Sequence, residues 1–480
     1  MYSRQEIESL KTSFEKVDQG HVFEHISDLN SHQIEAFIHQ LKSVNIEELS
    51  ELIKVHLIED NKDSDFKWES LKPAPCITSP AQGGDLSHWH KAHEIGEQAI
   101  AAGRVAAFTV AGGQGTRLGF DGPKGIFALG LCSGKSLFEI FADKIYRASQ
   151  RYNVKIPWFI MTSELNYAAT IEAFENNDYY GLDKDTVTLF KQELVPAIDL
   201  KGKIILENKG QIAMTPNGHG GSLRALSKNG ATEKMRTLGI DILSYFQVDN
   251  PLVSCIDPSF IGFHLMHQSE LSSKMIPKAY AAEKVGMFCE YNGKLAIVEY
   301  SDMPQKIKDM EDANGDLLFR AGNVAIHLFD REFIDRVGGL SSDEKLPFHK
   351  ASKKIPYYDQ ALGLVQPKES NGIKFEMFVF DALPKSKNPI VVEGSRSENF
   401  SPVKNVDGVD SPKTCKQDLL KQAVRWLSHA GKILEVDANG FTNFNFEINY
   451  RFAMDRDDFA EQWKRLEPKP EIEEGTIIGS

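Results

Sequence analysis

Apolar positions three and four residues apart run through the first seventy residues. In RQEIESLKTSFEKV, Ile7, Leu10 and Phe14 keep that spacing, and SHQIEAFIHQLKSV and IEELSELIKVHLI repeat it. The spacing lines up one face of a helix and predicts a helical N-terminal region. LKPAPCITSPAQGGD (71–85) breaks the pattern with Pro and Gly and reads as a connector. From GRVAAFTVAGGQGTRLG onward the pattern changes. Val105 to Val110 form a continuous apolar run met at once by glycines, as in a strand buried on both faces. A helical stretch follows, SLFEIFADKIYRASQRY, then the apolar run PWFIMTS (157–163), a helix near 167–176, and ILSYFQVDN (242–250), which ends in polar residues. Strands alternating with helices predict parallel βαβ units in an open α/β sheet, where ligands bind beyond the carboxyl ends of the strands. Both GGQG and VDN stand at such ends.

The alternation weakens after about residue 385, at LPKSKNP, and the final hundred residues mix short strands with helices. EPKPEIEEG (467–475) reads as a loose tail. These breaks predict a mainly helical N-terminal domain with its linker over 1–100, a central α/β domain over 101–385 and a small C-terminal domain over 386–480.

A length of 480 residues supports this division, since one ordinary domain takes about 150. Hydrophobic residues at 41% and charged residues at 26% suit a globular chain with a large core. A net charge of −13 argues against nucleic acid or an anionic membrane as the partner, but leaves room for a locally basic pocket. The five cysteines (Cys76, Cys132, Cys255, Cys289 and Cys415) are odd in number, widely spaced and contain no CxxC. They read as free thiols in a reducing compartment. The opening MYSRQEIESL is too polar for a secretory leader. No apolar run approaches the roughly 18 residues a bilayer requires, so the expected location is the cytoplasm.

The most informative segment runs from Ala111 to Gly125, AGGQGTRLGFDGPKG. Gly112, Gly113 and Gly115 let backbone N–H groups approach a triphosphate, and Thr116 is counted with them as nucleotide-binding. Arg117 and Lys124 add positive charge where phosphoryl oxygens would lie. Two familiar alternatives fail. A dinucleotide fingerprint counted from Gly113 requires Gly where Leu118 stands, and a Walker A loop ending in Gly134-Lys135-Ser136 requires Gly where Leu129 stands. The latter triplet reads as a turn into the next helix.

This loop resembles that of the UDP-sugar pyrophosphorylases, and more narrowly the eukaryotic-type UDP-N-acetylglucosamine pyrophosphorylases. The likeness continues in chain order through PWFIMTS, GKIILE (202–207), VDNPLV, DPSFIGF, AGNVAIH (321–327), KKIPY, NGIKFEMFVFD (371–381) and FSPVKN (400–405), and so covers roughly residues 100 to 410. It implies a glycosyltransferase-A-like nucleotide-binding core with a mixed, mainly parallel sheet, flanked by the helical N-terminal and small C-terminal domains. The resemblance also implies roles. Arg117, Lys124 and Lys404 would meet the phosphates, and Asp249 would hold Mg2+. Gln192 would contact uracil, as would backbone groups around Gly112 and Gly218, with His219 beside them. Glu299 and Asn323 would meet sugar hydroxyls, and Ala225, Phe378 and Phe380 would line an N-acyl pocket. Each residue also has a plainer reading. Asp249 could cap a turn, Asn323 could take a left-handed turn beside Gly322, Phe378 and Phe380 could share one face of a strand, and Lys404 could be a solvated surface lysine. Two departures stand out. The string PNGHGG (216–221) has His219 where the N-acetylglucosamine branch usually has Asn, and Cys132 stands where Pro is usual.

The implied reaction takes UTP and a hexose 1-phosphate to a UDP-sugar and pyrophosphate, by in-line displacement at the α-phosphorus. The sugar phosphate is already anionic, so no general base is required. What the chemistry needs is charge stabilisation from Arg, Lys, Mg2+ and backbone N–H groups. N-acetylglucosamine 1-phosphate is the sugar the resemblance implies first. Glucose 1-phosphate or several sugars is the alternative that His219 raises, and a catalytically silent UDP-sugar-binding protein is a third.

Overall fold

The computed structural model describes residues 2–58, 66–339 and 344–479. By internal contacts the chain forms two units, one of residues 1–68, 192–222 and 346–379, the other of residues 69–191, 223–345 and 380–480.

The second unit is built on a ten-stranded sheet. Its strands are β1 (Leu71–Pro73), β2 (Val105–Val110), β3 (Trp158–Thr162), β4 (Val187–Lys191), β5 (Ile242–Gln247), β6 (Leu271–Pro277), β7 (Met287–Tyr291), β8 (Lys294–Val298), β9 (Ala321–Asp330) and β10 (Ile390–Glu393). The order is β1-β7-β9-β5-β2-β3-β4, with β8 on β7, and with β6 pairing both β9 and β10. Strands β5, β2, β3 and β4 run parallel, and β9 enters antiparallel beside β5. Strands β2, β3 and β5 are buried nearly end to end, as their apolar runs require, whereas β4 at the sheet edge is half-buried. Trp158 keeps its indole N–H satisfied on Thr109 Oγ1 at 2.8 Å. The helix Leu137–Tyr152 starts on a capping box between Ser136 and Glu139 and stops at Asn153 in the left-handed region.

Helices Leu86–Ala101 and Pro258–Met266 touch backbone to backbone. A Cβ on Gly96 would lie 1.8 Å from the Pro258 carbonyl oxygen, and one on Gly262 would lie 1.6 Å from that of Ala92. The second helix begins at Asp257, whose side chain accepts from Phe260 N–H.

Two segments differ from their sequence expectation. The stretch read as a connector supplies β1 at the sheet edge, and Ile77 bridges Val392 farther on. Proline is tolerated there because an edge strand leaves one row of N–H groups unpaired. The stretch read as a loose tail is tied down: Ile472 is buried, Gly475 N–H donates to Asn445 O at 2.8 Å, and Ile477–Ile478 pairs with Glu447–Ile448.

In the first unit, helices Arg4–Lys16, Ser31–Lys42 and Ile46–Ile53 accompany a three-stranded antiparallel sheet of His349–Lys353, Gly372–Glu376 and Ile198–Asp199. Two glutamines, Gln19 between two helical segments and Gln40 on the helix Ser31–Lys42, copy a strand's hydrogen bonding. Gln19 donates to Gly202 O and accepts from Ile204 N–H, and Gln40 does the same with Ile212 O and N–H. Among the described residues, no helix is long and apolar enough to cross a membrane.

Candidate active site

The loop after β2 is closed at its neck by its own backbone. Lys124 N–H donates to Gly113 O at 3.1 Å and Gly115 N–H to Gly122 O at 2.8 Å. Asn166 fastens the loop to the sheet, giving its amide N–H groups to Ala111 O and Gly113 O. Among the described residues, the N–H groups of Gly112, Gly113 and Gln114 find no backbone carbonyl partner. The glycines serve different ends. A Cβ on Gly113 would meet nothing within 4 Å, so the space above it is open, whereas one on Gly115 would strike the Phe120 ring at 2.6 Å. Thr116 and Arg117 lie exposed on the single helical turn Thr116–Leu118, anchored by buried Leu118.

The polar turn after β5 lies against the segment that carries Lys404. Val403 N–H donates to the Asp249 carbonyl oxygen at 2.8 Å. Buried Asn250 donates to Asn399 O at 2.7 Å and accepts from Ser401 N–H at 3.0 Å. Lys124 Nζ adds a bond to Val403 O at 3.2 Å. Beyond the turn, fully buried Lys144 holds the carbonyls of Pro251 and Val253 at 2.5 and 2.9 Å, and burial draws its ammonium down to about 8. Asp410 closes the far side, its carbonyl oxygen accepting from Lys404 N–H and Asn405 N–H.

These bonds gather four charges. Burial pulls the Lys124 ammonium below the ordinary lysine value; Asp249 opposes this, while the Lys404 and Arg117 cations add to it. Asp410 is pushed above the usual carboxylate range by burial and by Asp249, against the pull of Lys404. Lys404 Nζ also lies over the Phe400 ring, 5.7 Å from its centre. Among the described residues, no group of three or more His, Cys, Asp or Glu side chains is arranged to hold a metal. A single carboxylate such as Asp249 would nevertheless fit Mg2+, which can take its remaining ligands from a bound phosphate and water.

Glu299 and Asn323 meet around Gly286. Asn323 N–H donates to Gly286 O at 2.8 Å, and a Cβ on Gly286 would lie 3.0 Å from Glu299 Oε1. Burial raises the Glu299 carboxyl, and Asp302 adds to this. Asn323 does not itself take the left-handed turn; Ala325 does, at φ 54°, with its N–H held by Asn323 Oδ1. Ala225 is fully buried in the helix Gly221–Lys228, and Phe380 is buried in the helical turn Val379–Lys385.

The remaining residues belong to the first unit. Gln192 donates from Nε2 to Asn217 Oδ1 at 3.1 Å and to Gly218 O at 2.6 Å. Gly218 holds φ at +80°, and a Cβ there would lie 2.4 Å from Met377 O. His219 Nδ1 accepts from Val379 N–H at 3.2 Å, which places its ring proton on Nε2. The Phe378 ring lies between those of His219 and His349, at 5.6 and 4.8 Å. Phe378 falls just past the end of the strand Gly372–Glu376, so it and Phe380 do not share a strand face. Gly134-Lys135-Ser136 is the expected helix-entry turn, with Lys135 paired to Asp143 at 2.6 Å.

Asn166, Asn250, Asp410 and Asn217 escaped the sequence reading. The visible signals were Asn250 in VDN and Asn217 in PNGHGG, each beside a residue that was chosen.

The sequence model of UTP–glucose-1-phosphate uridylyltransferase matches residues 46–454. The UDP-N-acetylhexosamine pyrophosphorylase-like protein 1 of Xenopus tropicalis is 37% identical over 444 residues, covering 89% of this chain and 86% of that protein. The UDP-N-acetylglucosamine pyrophosphorylase of Saccharomyces cerevisiae is 35% identical over 444 residues, covering 88% and 92%. The uridine diphosphate N-acetylglucosamine pyrophosphorylase from Trypanosoma brucei, solved in complex with inhibitor, superposes with a TM-score of 0.77 at 27% identity, over 99% of this chain and 98% of that one.

Proposed function

We propose, for a chain that belongs to the UTP–glucose-1-phosphate uridylyltransferase family, that it is a nucleotidyltransferase joining UTP to N-acetylglucosamine 1-phosphate. The products are UDP-N-acetylglucosamine and pyrophosphate. The observation that carries this reading is the meeting of Lys124 with the Asp249 and Lys404 segments beside a loop of open N–H groups: Lys124 Nζ donates to Val403 O, and Val403 N–H donates to the Asp249 carbonyl oxygen.

The sugar phosphate oxygen is the nucleophile and bears its charge at neutral pH, so the chain has no proton to remove. Its task is to hold two polyanions together and stabilise charge that builds on the leaving pyrophosphate. The N–H groups of Gly112, Gly113 and Gln114 take phosphate oxygens, and Arg117 and Lys124 neutralise the leaving group. Lys404 meets the phosphates from its own segment, fixed by the bonds at Val403 and Asp410. Asp249 is the residue that would hold Mg2+, which supplies further charge neutralisation when bound. Gln192 and the backbone at Gly218 read uracil, and Glu299 and Asn323 meet sugar hydroxyls. Ala225, Phe378 and Phe380 accommodate the N-acyl group. A cytoplasmic location, with no membrane or nucleic-acid partner, belongs to the same reading. It is supported by free thiols at all five cysteines and a net charge of −13.

The test is pyrophosphate release from UTP and Mg2+ with a panel of sugar 1-phosphates. A clear kcat/KM preference for N-acetylglucosamine 1-phosphate is expected. Preference for glucose 1-phosphate would reassign the sugar, and no release with any sugar would reduce the chain to a binding protein.

A further inference from the structure

Gln192 has two amide protons, and both are spent. One goes to the Gly218 carbonyl oxygen at 2.6 Å and the other to Asn217 Oδ1 at 3.1 Å. A backbone carbonyl can only accept, so it fixes which end of the Gln192 amide is nitrogen. Asn217 must then turn its own oxygen toward Gln192, because the opposite orientation would set two NH2 groups against each other. Asn217 is only 1% exposed, and its Nδ2 finds no partner among the described residues. A buried amide nitrogen without an acceptor is rare in a folded protein and calls for an explanation. The pocket around it is closely built. Met377 N–H holds the Asn217 carbonyl at 2.8 Å, and a Cβ on Gly221 would lie 1.9 Å from Asn217 Oδ1.

We propose that Asn217 is a positioning residue: as the second acceptor beside the Gly218 carbonyl it holds the Gln192 amide in this polarity, leaving Oε1 as the end that meets a base and so selecting a pyrimidine with a donor at N3. Uracil carries an N3–H, whereas cytosine presents a lone pair at N3 and would face the Gln192 oxygen with no proton between. A site committed to one hydrogen-bond polarity rejects the wrong partner strongly, because its own polar group is left unpaired. The orphaned Asn217 Nδ2 is the cost of that commitment. The inference rests on Gln192 as the uracil contact.

The experiment compares kcat/KM for UTP and CTP in the wild type and in Asn217→Leu, Asn217→Asp and Gln192→Leu, with melting curves to confirm folding. In Asn217→Leu the UTP:CTP ratio should fall at least tenfold (about 1.4 kcal/mol), through the KM for UTP and with kcat kept. Asn217→Asp, which still accepts the Gln192 proton, should preserve the ratio. Asn217→Ala serves in place of the leucine variant if that does not fold. A ratio unchanged in the folded leucine or alanine variant, while Gln192→Leu abolishes it, would overturn the role of Asn217 alone. A ratio unchanged in Gln192→Leu would remove the uracil contact, and this inference with it.

Discussion

The loop after β2 and the loop carrying Gln192 are held by different physics. The first is a backbone turn closed by its own carbonyls and decorated with cations, with open N–H groups of a kind that suits an oxyanion. The second is a chain of amides in which each orientation dictates the next, from Gly218 to Gln192 to Asn217. Charge tolerates small displacements and falls off slowly with distance, so the first loop needs only a firm neck and free space above Gly113. Hydrogen-bond polarity is all or none, so the second needs buried partners with no freedom to turn over. Substitutions in the first loop should therefore damage turnover, whereas those in the second should alter which nucleotide is used.

The sharpest way to break this contrast is Arg117→Ala. Loss of one transition-state donor should lower kcat by on the order of a hundredfold or more, read as pyrophosphate release at saturating UTP. A near-normal kcat would show that the first loop binds without stabilising the reaction. Next comes Asn250→Ala, which leaves Asn399 O and Ser401 N–H unpaired and loosens the segment bearing Lys404. Misplacing a reacting group in this way should reduce kcat roughly tenfold. A smaller effect, confined to the pH profile, is expected of Lys124→Arg. The lowered Lys124 ammonium loses its proton at a pH below the ordinary lysine value, so wild-type kcat/KM for UTP should decline early on the alkaline side. Arginine stays charged there, and the decline should move to higher pH. The least change should follow His219→Asn, because an asparagine oxygen can still accept the Val379 N–H. Steady-state kinetics with both N-acetylglucosamine and glucose 1-phosphate would show whether His219 matters to the sugar at all.

What the sequence revealed follows the same division. The parallel strands were legible because burial on both faces leaves an unbroken apolar run, as in Val105–Val110. The turn after β2 was legible because its glycines sit in one short stretch directly after an apolar run. Features held by distant partners were not. Leu71–Pro73 has no strand pattern of its own, and its register is set by Met287–Tyr291, more than two hundred residues away. Ile472 is a lone apolar residue among charges, and the short run Ile477–Ile478 carries no strand pattern until Glu447–Ile448 is found beside it. Gln40 looks like a helix-surface glutamine and Gln19 like a loop residue until Ile212 and Ile204 are found opposite them. Asn250 and Asn217 do not stand out because their neighbours carry the more recognisable chemistry, while Asn250 works through backbone groups and Asn217 through the amide of Gln192.

The glycine pair at the crossing of helices Leu86–Ala101 and Pro258–Met266 carries a further consequence for how this chain can vary. Each glycine faces a backbone carbonyl of the other helix, so no side-chain rearrangement can make room for a methyl group at either position. Such sites have no route to compensation: a second substitution cannot repair the first, because the obstacle is the main chain itself. In a saturation library selected for activity, Gly96 and Gly262 should therefore admit no replacement singly or together. The adjoining Asp257–Lys274 pair, which depends on side chains, should remain open to coupled exchange.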